Sequence, residues 1–175
     1  SYNHRIQIFN TSGTYINKFG SAGTGNGQFY YPYALDVDSS GNIYVSDTSN
    51  HRIQKFNSSY TYINQWGTSG SSDGQFQHPK GIAIDNNGYI YVADNDNNRI
   101  QKFDSTGQFL VSFGEFGTEN GEFYSPFGVS VYQDSLYVSD SSNRVQIFDI
   151  SDVVTSPTLA PTFTPSPTVN TTPFP

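Results

Sequence analysis

His51-Arg-Ile-Gln-Lys-Phe-Asn57 returns 47 positions later as Asn98-Arg-Ile-Gln-Lys-Phe-Asp104. The same words stand earlier as His4-Arg-Ile-Gln-Ile-Phe-Asn10 and, slightly shortened, near the end as Arg144-Val-Gln-Ile-Phe-Asp149. Other landmarks keep step: Gly20, Gly67 and Gly114; Phe29, Phe76 and Phe123; Pro32, Pro79 and Pro126; Tyr44, Tyr91 and Tyr137. A register held by this many residue types is an internal repeat. Outward from each copy, the period divides into four short runs rich in Ile, Val, Tyr and Phe, too short for helices. In one period these are strand a (Gly81-Ile-Ala-Ile-Asp85), strand b (Tyr89-Ile-Tyr-Val-Ala93), strand c (Arg99-Ile-Gln-Lys-Phe103) and strand d (Gln108 to Phe113). Asp85-Asn-Asn-Gly88 supplies a tight turn, and Pro126, without an N–H, suits the entrance to a strand. Four antiparallel strands repeated at this period predict blades of a β-propeller, since a solenoid with one strand per turn needs a shorter period.

The sequence is 175 residues long, 16% aromatic and 13% charged, with no Cys and no Met. Abundant Tyr and Phe with few helix formers agree with an all-β chain. A net charge of -7 gives no electrostatic grip on phosphate backbones or anionic lipid, so nucleic acid is excluded as a partner. No run approaches the about 18 apolar residues of a membrane span, so membrane insertion is not expected. With no Met even at position 1, the sequence reads as a processed product or an excerpt of something longer.

Pro-x-Gly-Ile-Ala-x-Asp, followed by Gly-x-Ile-Tyr-Val-x-Asp and Asn-x-Arg-Ile-Gln-x-Phe, resembles the NHL repeat, named for its Asn-His-Leu-type segment. That segment is here Asn3-His4-Arg5, Asn50-His51-Arg52 and Asn97-Asn98-Arg99. The resemblance covers residues 1 to about 150 and implies a propeller. It leaves the function open, because the family spans binding modules, scaffolds and at least one lyase, and function resides in sites. The fold expected is therefore a partial NHL-type β-propeller of about three four-stranded blades over residues 1–152, with a Pro/Thr-rich extended tail over residues 153–175.

The four Arg residues of the sequence are four copies of one position. Asp47 precedes Arg52, Asp94 precedes Arg99 and Asp140 precedes Arg144 by four or five residues, which places each pair across a b–c hairpin. These are read as half-exposed structural pairs worth about 1 kcal/mol each. Asp94-Asn-Asp-Asn-Asn98 imitates a calcium loop, but Arg99 stands where the sharp-turn Gly belongs and position twelve is Ser105. Two of the three His residues, His4 and His51, occupy the repeat's signature position, and His78 is the third. The amidating lyase related by the resemblance uses His, Tyr and a metal in its channel, but no extra His lies on the strand a segments. No catalytic residue, metal or cofactor is therefore assigned, and the chain is expected not to be an enzyme. Repetition marks the aromatics Phe9, Phe56, Phe103 and Phe148 as core, whereas Tyr30, Tyr31 and Tyr33 cluster irregularly and form the candidate surface contact for a partner or a sugar.

From Thr155 to Pro175, seven Thr, two Ser and six Pro fill 15 of 21 positions, and no charge follows Asp152. Such a tract favours extended polyproline II and reads as an O-glycosylated stalk. Its candidate acceptors are Thr155, Ser156, Thr158, Thr162, Thr164, Ser166, Thr168, Thr171 and Thr172. N-glycosylation sequons begin at Asn10, Asn57 and Asn170, the first two in the same c–d turn of successive periods. Acidic repeats joined to such a tail suggest an extracellular or cell-surface structural or adhesive glycoprotein. The strand count sharpens this. The sequence runs c, d (about 5–19), two complete blades (about 33–66 and 80–113), then a, b, c (about 127–148): thirteen strands, too few for a closed ring. Head-to-tail self-assembly into a fibre or closed oligomer is expected, with covalent glycans as the other partners; a ligand- or glycan-binding ectodomain is the alternative, and an amidating-lyase-like enzyme the second.

Overall fold

The computed structural model describes residues 3–151, and the tail with its O-glycosylation candidates and Asn170 lies outside them. The described chain is all-β. Half-blade I pairs β1 (Ile6–Phe9) with β2 (Tyr15–Phe19), and the two-residue strands β3 (Ser21–Ala22) and β4 (Gln28–Phe29) pair in parallel within the linker that follows. Blade II is β5 (Pro32–Val37), β6 (Ile43–Asp47), β7 (Arg52–Phe56) and β8 (Tyr62–Trp66). Blade III repeats it as β9 (Pro79–Ile84), β10 (Ile90–Asp94), β11 (Arg99–Phe103) and β12 (Phe109–Phe113). Blade IV holds three strands, β13 (Gly128–Tyr132), β14 (Ser135–Asp140) and β15 (Arg144–Asp149).

Every long pairing is antiparallel between sequence neighbours, with registers such as Val92 opposite Gln101 and Val45 opposite Gln54. Strand β9 also packs beside both β5 and β13, so the first strands of successive blades converge, as inner strands of a propeller do. The second strands β6 and β10 are buried along their whole length, because each is covered on both faces by a neighbouring blade.

The hydrophobic core is divided into three clusters, one at each seam between blades. Seam I–II gathers Ile6 and Phe19 with Phe29, Ile43, Val45 and Phe56. Seam II–III gathers Tyr44, Ile53 and Trp66 with Phe76, Ile82, Val92 and Phe103, and seam III–IV gathers Tyr91, Ile100 and Phe113 with Phe123, Leu136, Val138 and Phe148. The linker residues Phe29, Phe76 and Phe123 are fully buried plugs, each worth about 1.5–3 kcal/mol. Gly20, Gly67 and Gly114 sit at positive φ (91, 97 and 92°) directly under these rings, where any Cβ would collide with the plug.

One aromatic departs from the sequence reading. Phe9 is 51% exposed, although its counterparts Phe56, Phe103 and Phe148 are at most 1% exposed, because the side of β1 that carries it faces no preceding blade among the described residues.

Candidate functional site

In a four-stranded meander the turns alternate ends. The b–c turns and the d–a linkers therefore share one face of the molecule, and the a–b and c–d turns share the other. The first face carries the densest polar structure. In blade II a 3-10 turn, Thr48–Asn50, and left-handed His51 (φ 54°) link β6 to β7. This geometry aims Asp47 and Arg52 at each other, with Asp47 Oδ2 accepting from Arg52 Nε at 2.7 Å. All five guanidinium N–H groups are used: Nη1 donates to Thr24 O and Gln65 Oε1, and Nη2 donates to Gly25 O and Gln28 O. Asp47 also accepts from the Tyr30 N–H, from Asn50 Nδ2 and from Gln54 Nε2. The cluster thus staples the incoming linker to the blade.

Blade III repeats the arrangement with Asp94–Arg99 at 2.8 Å, and blade IV with Asp140–Arg144 at 3.0 Å. Arg99 Nη2 holds Ser72 O and Gln75 O, and Arg144 holds the carbonyls of Thr118, Glu119 and Glu122. Burial pushes the Asp94 carboxyl up, against the hydrogen bonds from Asn97, the Gln77 N–H and Arg99. The expectation of half-exposed pairs is corrected: the side chains of Asp47 and Arg52 are 0% and 8% exposed, because the linker folds over them. In half-blade I, Arg5 reaches only Gln7 Oε1, at 3.2 Å, and forms no ion pair among the described residues. The segment Asp94–Asn98 turns its first carboxylate inward, with Asp94 Oδ1 accepting from Gln77 N and Oδ2 from Asn97, Arg99 and Gln101, while Asp96 stays exposed. Among the described residues no group of three or more His, Cys, Asp or Glu is arranged to hold a metal ion.

Beside the first staple lie the aromatics singled out in the sequence. His4 stacks on Tyr30 with centroids 5.1 Å apart and meets Tyr31 edge-on at 4.9 Å, while Lys80 Nζ lies 5.7 Å from the Tyr33 ring. Tyr30 and Tyr33 are about half exposed, so the cluster offers ring faces to solvent.

The opposite face carries the sequon turns. Asn10 Oδ1 accepts from the N–H groups of Ser12 and Thr14, and Asn57 Oδ1 from those of Ser59 and Thr61. Asp104 makes the same turn with Thr106 and Gln108. The turn needs only the oxygen, so Asn and Asp serve equally, and Asn leaves Nδ2 as its remaining polar atom. On the same face Asp38 and Asp85 receive the hydroxyls of the buried Tyr44 and Tyr91. Burial, with the adjacent carboxylates, raises both phenols above their usual range. Burial alone would lift Asp38 too, but hydrogen bonds from Asn42, Tyr44 and Ser40 hold it below the usual carboxylate range.

The NHL repeat family matches residues 29–56 and 76–103. No curated protein matches. Among solved structures, a gluconolactonase from Xanthomonas campestris is similar at 16% identity and a TM-score of 0.61, over 85% of this chain and 52% of that one. Virginiamycin B lyase from Staphylococcus aureus is similar at 15% identity and 0.55, over 86% and 50%. A β-propeller domain from Myceliophteria thermophila is similar at 9% identity and 0.53, over 75% and 39%. The chain spans about half or less of these structures, and at such identities the likeness shows the fold alone, a β-propeller type. The expectation that the chain is not an enzyme is corrected: two of the three neighbours are a lactonase and a lyase by their own descriptions, so this fold hosts catalysis and does not exclude it. No helix among the described residues is long and apolar enough to cross a membrane.

Proposed function

We propose that this chain, whose two matched NHL repeats lie in a β-propeller-type fold, serves as the propeller portion of an extracellular structural or adhesive glycoprotein that assembles head to tail. The observation that carries the reading is the contrast between seams and end faces. Ile53 and Ile100 are fully buried by the following blade, whereas their counterpart Val145 is 59% exposed. Around Val145 lies an open hollow of about 500 Å³, lined by Phe127, Ser139, Asp140, Ser141, Asn143 and Arg144. On half-blade I, Phe9 and Tyr15 are exposed and meet edge-on at 6.0 Å. Apolar surface left in water costs about 25 cal/mol per Å², which favours covering one face with the other. A second copy of this chain is the occupant proposed, stacking the blade IV face on half-blade I as the internal seams are stacked. A heterologous contact of this kind gives a ring if its rotation closes and a filament if it does not.

Glycans on Asn10 and Asn57 would project from the c–d face, leaving the seam faces clear, and the Thr/Ser/Pro tail would carry the O-linked ones. Light scattering and electron microscopy of the chain across a concentration series test the assembly. A stable monomer at every concentration refutes it, and an intact mass equal to the unmodified 19.4 kDa in native material refutes the glycoprotein.

A second reading, a ligand- or glycan-binding ectodomain, is favoured by one observation: the half-exposed Tyr30 and Tyr33 rings with Tyr31 and His4 between the blades. Exposed ring faces suit the apolar faces of sugars. A glycan screen in which binding is lost with Tyr33→Ala, at unchanged melting, would select this reading.

A further inference from the structure

One bond among those that join successive blades repeats at every seam on the b–c face. The left-handed residue before the Arg of strand c, at φ 47° (His4), 54° (His51) or 55° (Asn98), reaches the next blade. There it accepts the N–H of the residue preceding the entry proline. His4 Nδ1 takes it from Tyr31 at 3.1 Å, His51 Nδ1 from His78 at 3.2 Å, and Asn98 Oδ1 from Ser125 at 2.9 Å. The three bonds are alike in geometry and unlike in chemistry. An amide oxygen accepts at any pH. An imidazole Nδ1 accepts only while the ring is neutral with its proton on Nε2; imidazolium carries N–H at both nitrogens. A protonated His51 would therefore point a donor at a donor.

We propose that the seam between blades II and III is an acid-sensitive latch, opened when His51 takes up a proton, whereas the III–IV seam, closed by Asn98, is indifferent to pH. The surroundings of His51 strengthen the contrast. The His78 ring lies 4.6 Å away, centroid to centroid, and its Nδ1 is 2.7 Å from Asp96 Oδ2, so that nitrogen donates to the carboxylate. From the neighbouring turn Asp96 and the buried Asp94 also face His51, and on its own turn stands the ion pair of Asp47 with Arg52. Asp94 is engaged by Arg99, so its charge is largely spoken for.

Burial, reinforced by His78, holds His51 below its ordinary value of 6.5, with Asp96 and Asp94 acting in the opposite sense. The sign follows. The unfolded chain takes the proton first, so the stabilisation is complete above pH 6.5 and is lost as pH falls through the depressed folded value. This window lies above the range in which Asp38 and Asp104, both held below 3.8, begin to protonate.

Hydrogen exchange on the full chain reads the two seams separately. After correction for intrinsic rates, the His78 amide should lose about tenfold in protection between about pH 7.5 and pH 5, while the Ser125 amide keeps its own. His51→Asn, which copies the residue of the next seam at the same backbone conformation, should lose less melting temperature over that range than the wild type, the I–II seam keeping its own imidazole acceptor in His4. Equal behaviour of the two amides overturns the latch, as does an undiminished acid loss in His51→Asn. If that variant does not fold, the ratio of the two amides in the wild type decides alone.

Discussion

Phe103 and Phe9 hold the same place in the same strand of the same repeat, yet one is fully buried and the other is 51% exposed. Their strands are alike, with β1 pairing β2 as β11 pairs β12, down to a register shift at that phenylalanine. What differs is the neighbour. Phe103 lies between Phe76 and Trp66 of the seam, at 5.5 and 5.9 Å, whereas among the described aromatic rings Phe9 meets Tyr15 alone, at 6.0 Å. In this chain local structure is a property of the repeat, and burial is a property of the seam. Stability is therefore stored between blades more than within them.

The sharpest way to break that statement is to cut equivalent residues at a seam and at the end. Arg52→Ala leaves Asp47 buried and unpaired, and should cost about 3–5 kcal/mol in urea unfolding; Arg5→Ala, with no ion pair among the described residues to lose, should stay within about 0.5 kcal/mol. Equal costs would show that the Arg acts within its own sheet. Packing at the inner strands is the next test. A Cβ on Gly81 would stand 2.5 Å from Phe127 O on the adjoining blade, so Gly81→Ala should lower stability by about 1–3 kcal/mol through the III–IV seam. Calorimetry would miss this loss only if the inner strands can move apart freely. The smallest effect belongs to the c–d turns. Asn57→Ala should cost about 1 kcal/mol by removing two backbone partners, while Asn57→Asp should be neutral in thermal melts. A costly Asn57→Asp would mean that Nδ2 has a structural role as well.

The extent to which the sequence disclosed this arrangement follows the same division. Strand c was legible to the residue, Arg99 to Phe103, because its apolar and polar alternation repeats in four copies. The pattern of the sequence starts strand a at Gly81, but β9 begins at Pro79, which pairs with Asp94 and needs no N–H there. The roles of Gln54, Gln101, Asn50 and Asn97 went unread even though the repeat displays them. Their partners are carbonyls of the linker, such as Gln28 O, Gln75 O, Gly23 O and Gly70 O, and backbone atoms leave no mark in a sequence. Phe9 was read as core for the converse reason: repetition records which residue a position holds and says nothing about whether a neighbouring blade covers it.

The seam bonds have a consequence for how such a chain grows and folds. His4 to Tyr31, His51 to His78 and Asn98 to Ser125 each span 27 residues, and Thr48 to Pro79 and Asn95 to Pro126 each span 31. Each of these bonds joins a blade to the next along the chain, so folding can begin at any pair of the described blades and spread outward like a zipper, with modest loop-closure entropy at every step. Duplicating one period would bring its own acceptor, its own proline-preceding amide and its own arginine staple, and would disturb no existing seam. Each copied period then adds a blade without disturbing the others, which makes this architecture easy to lengthen in evolution and by design.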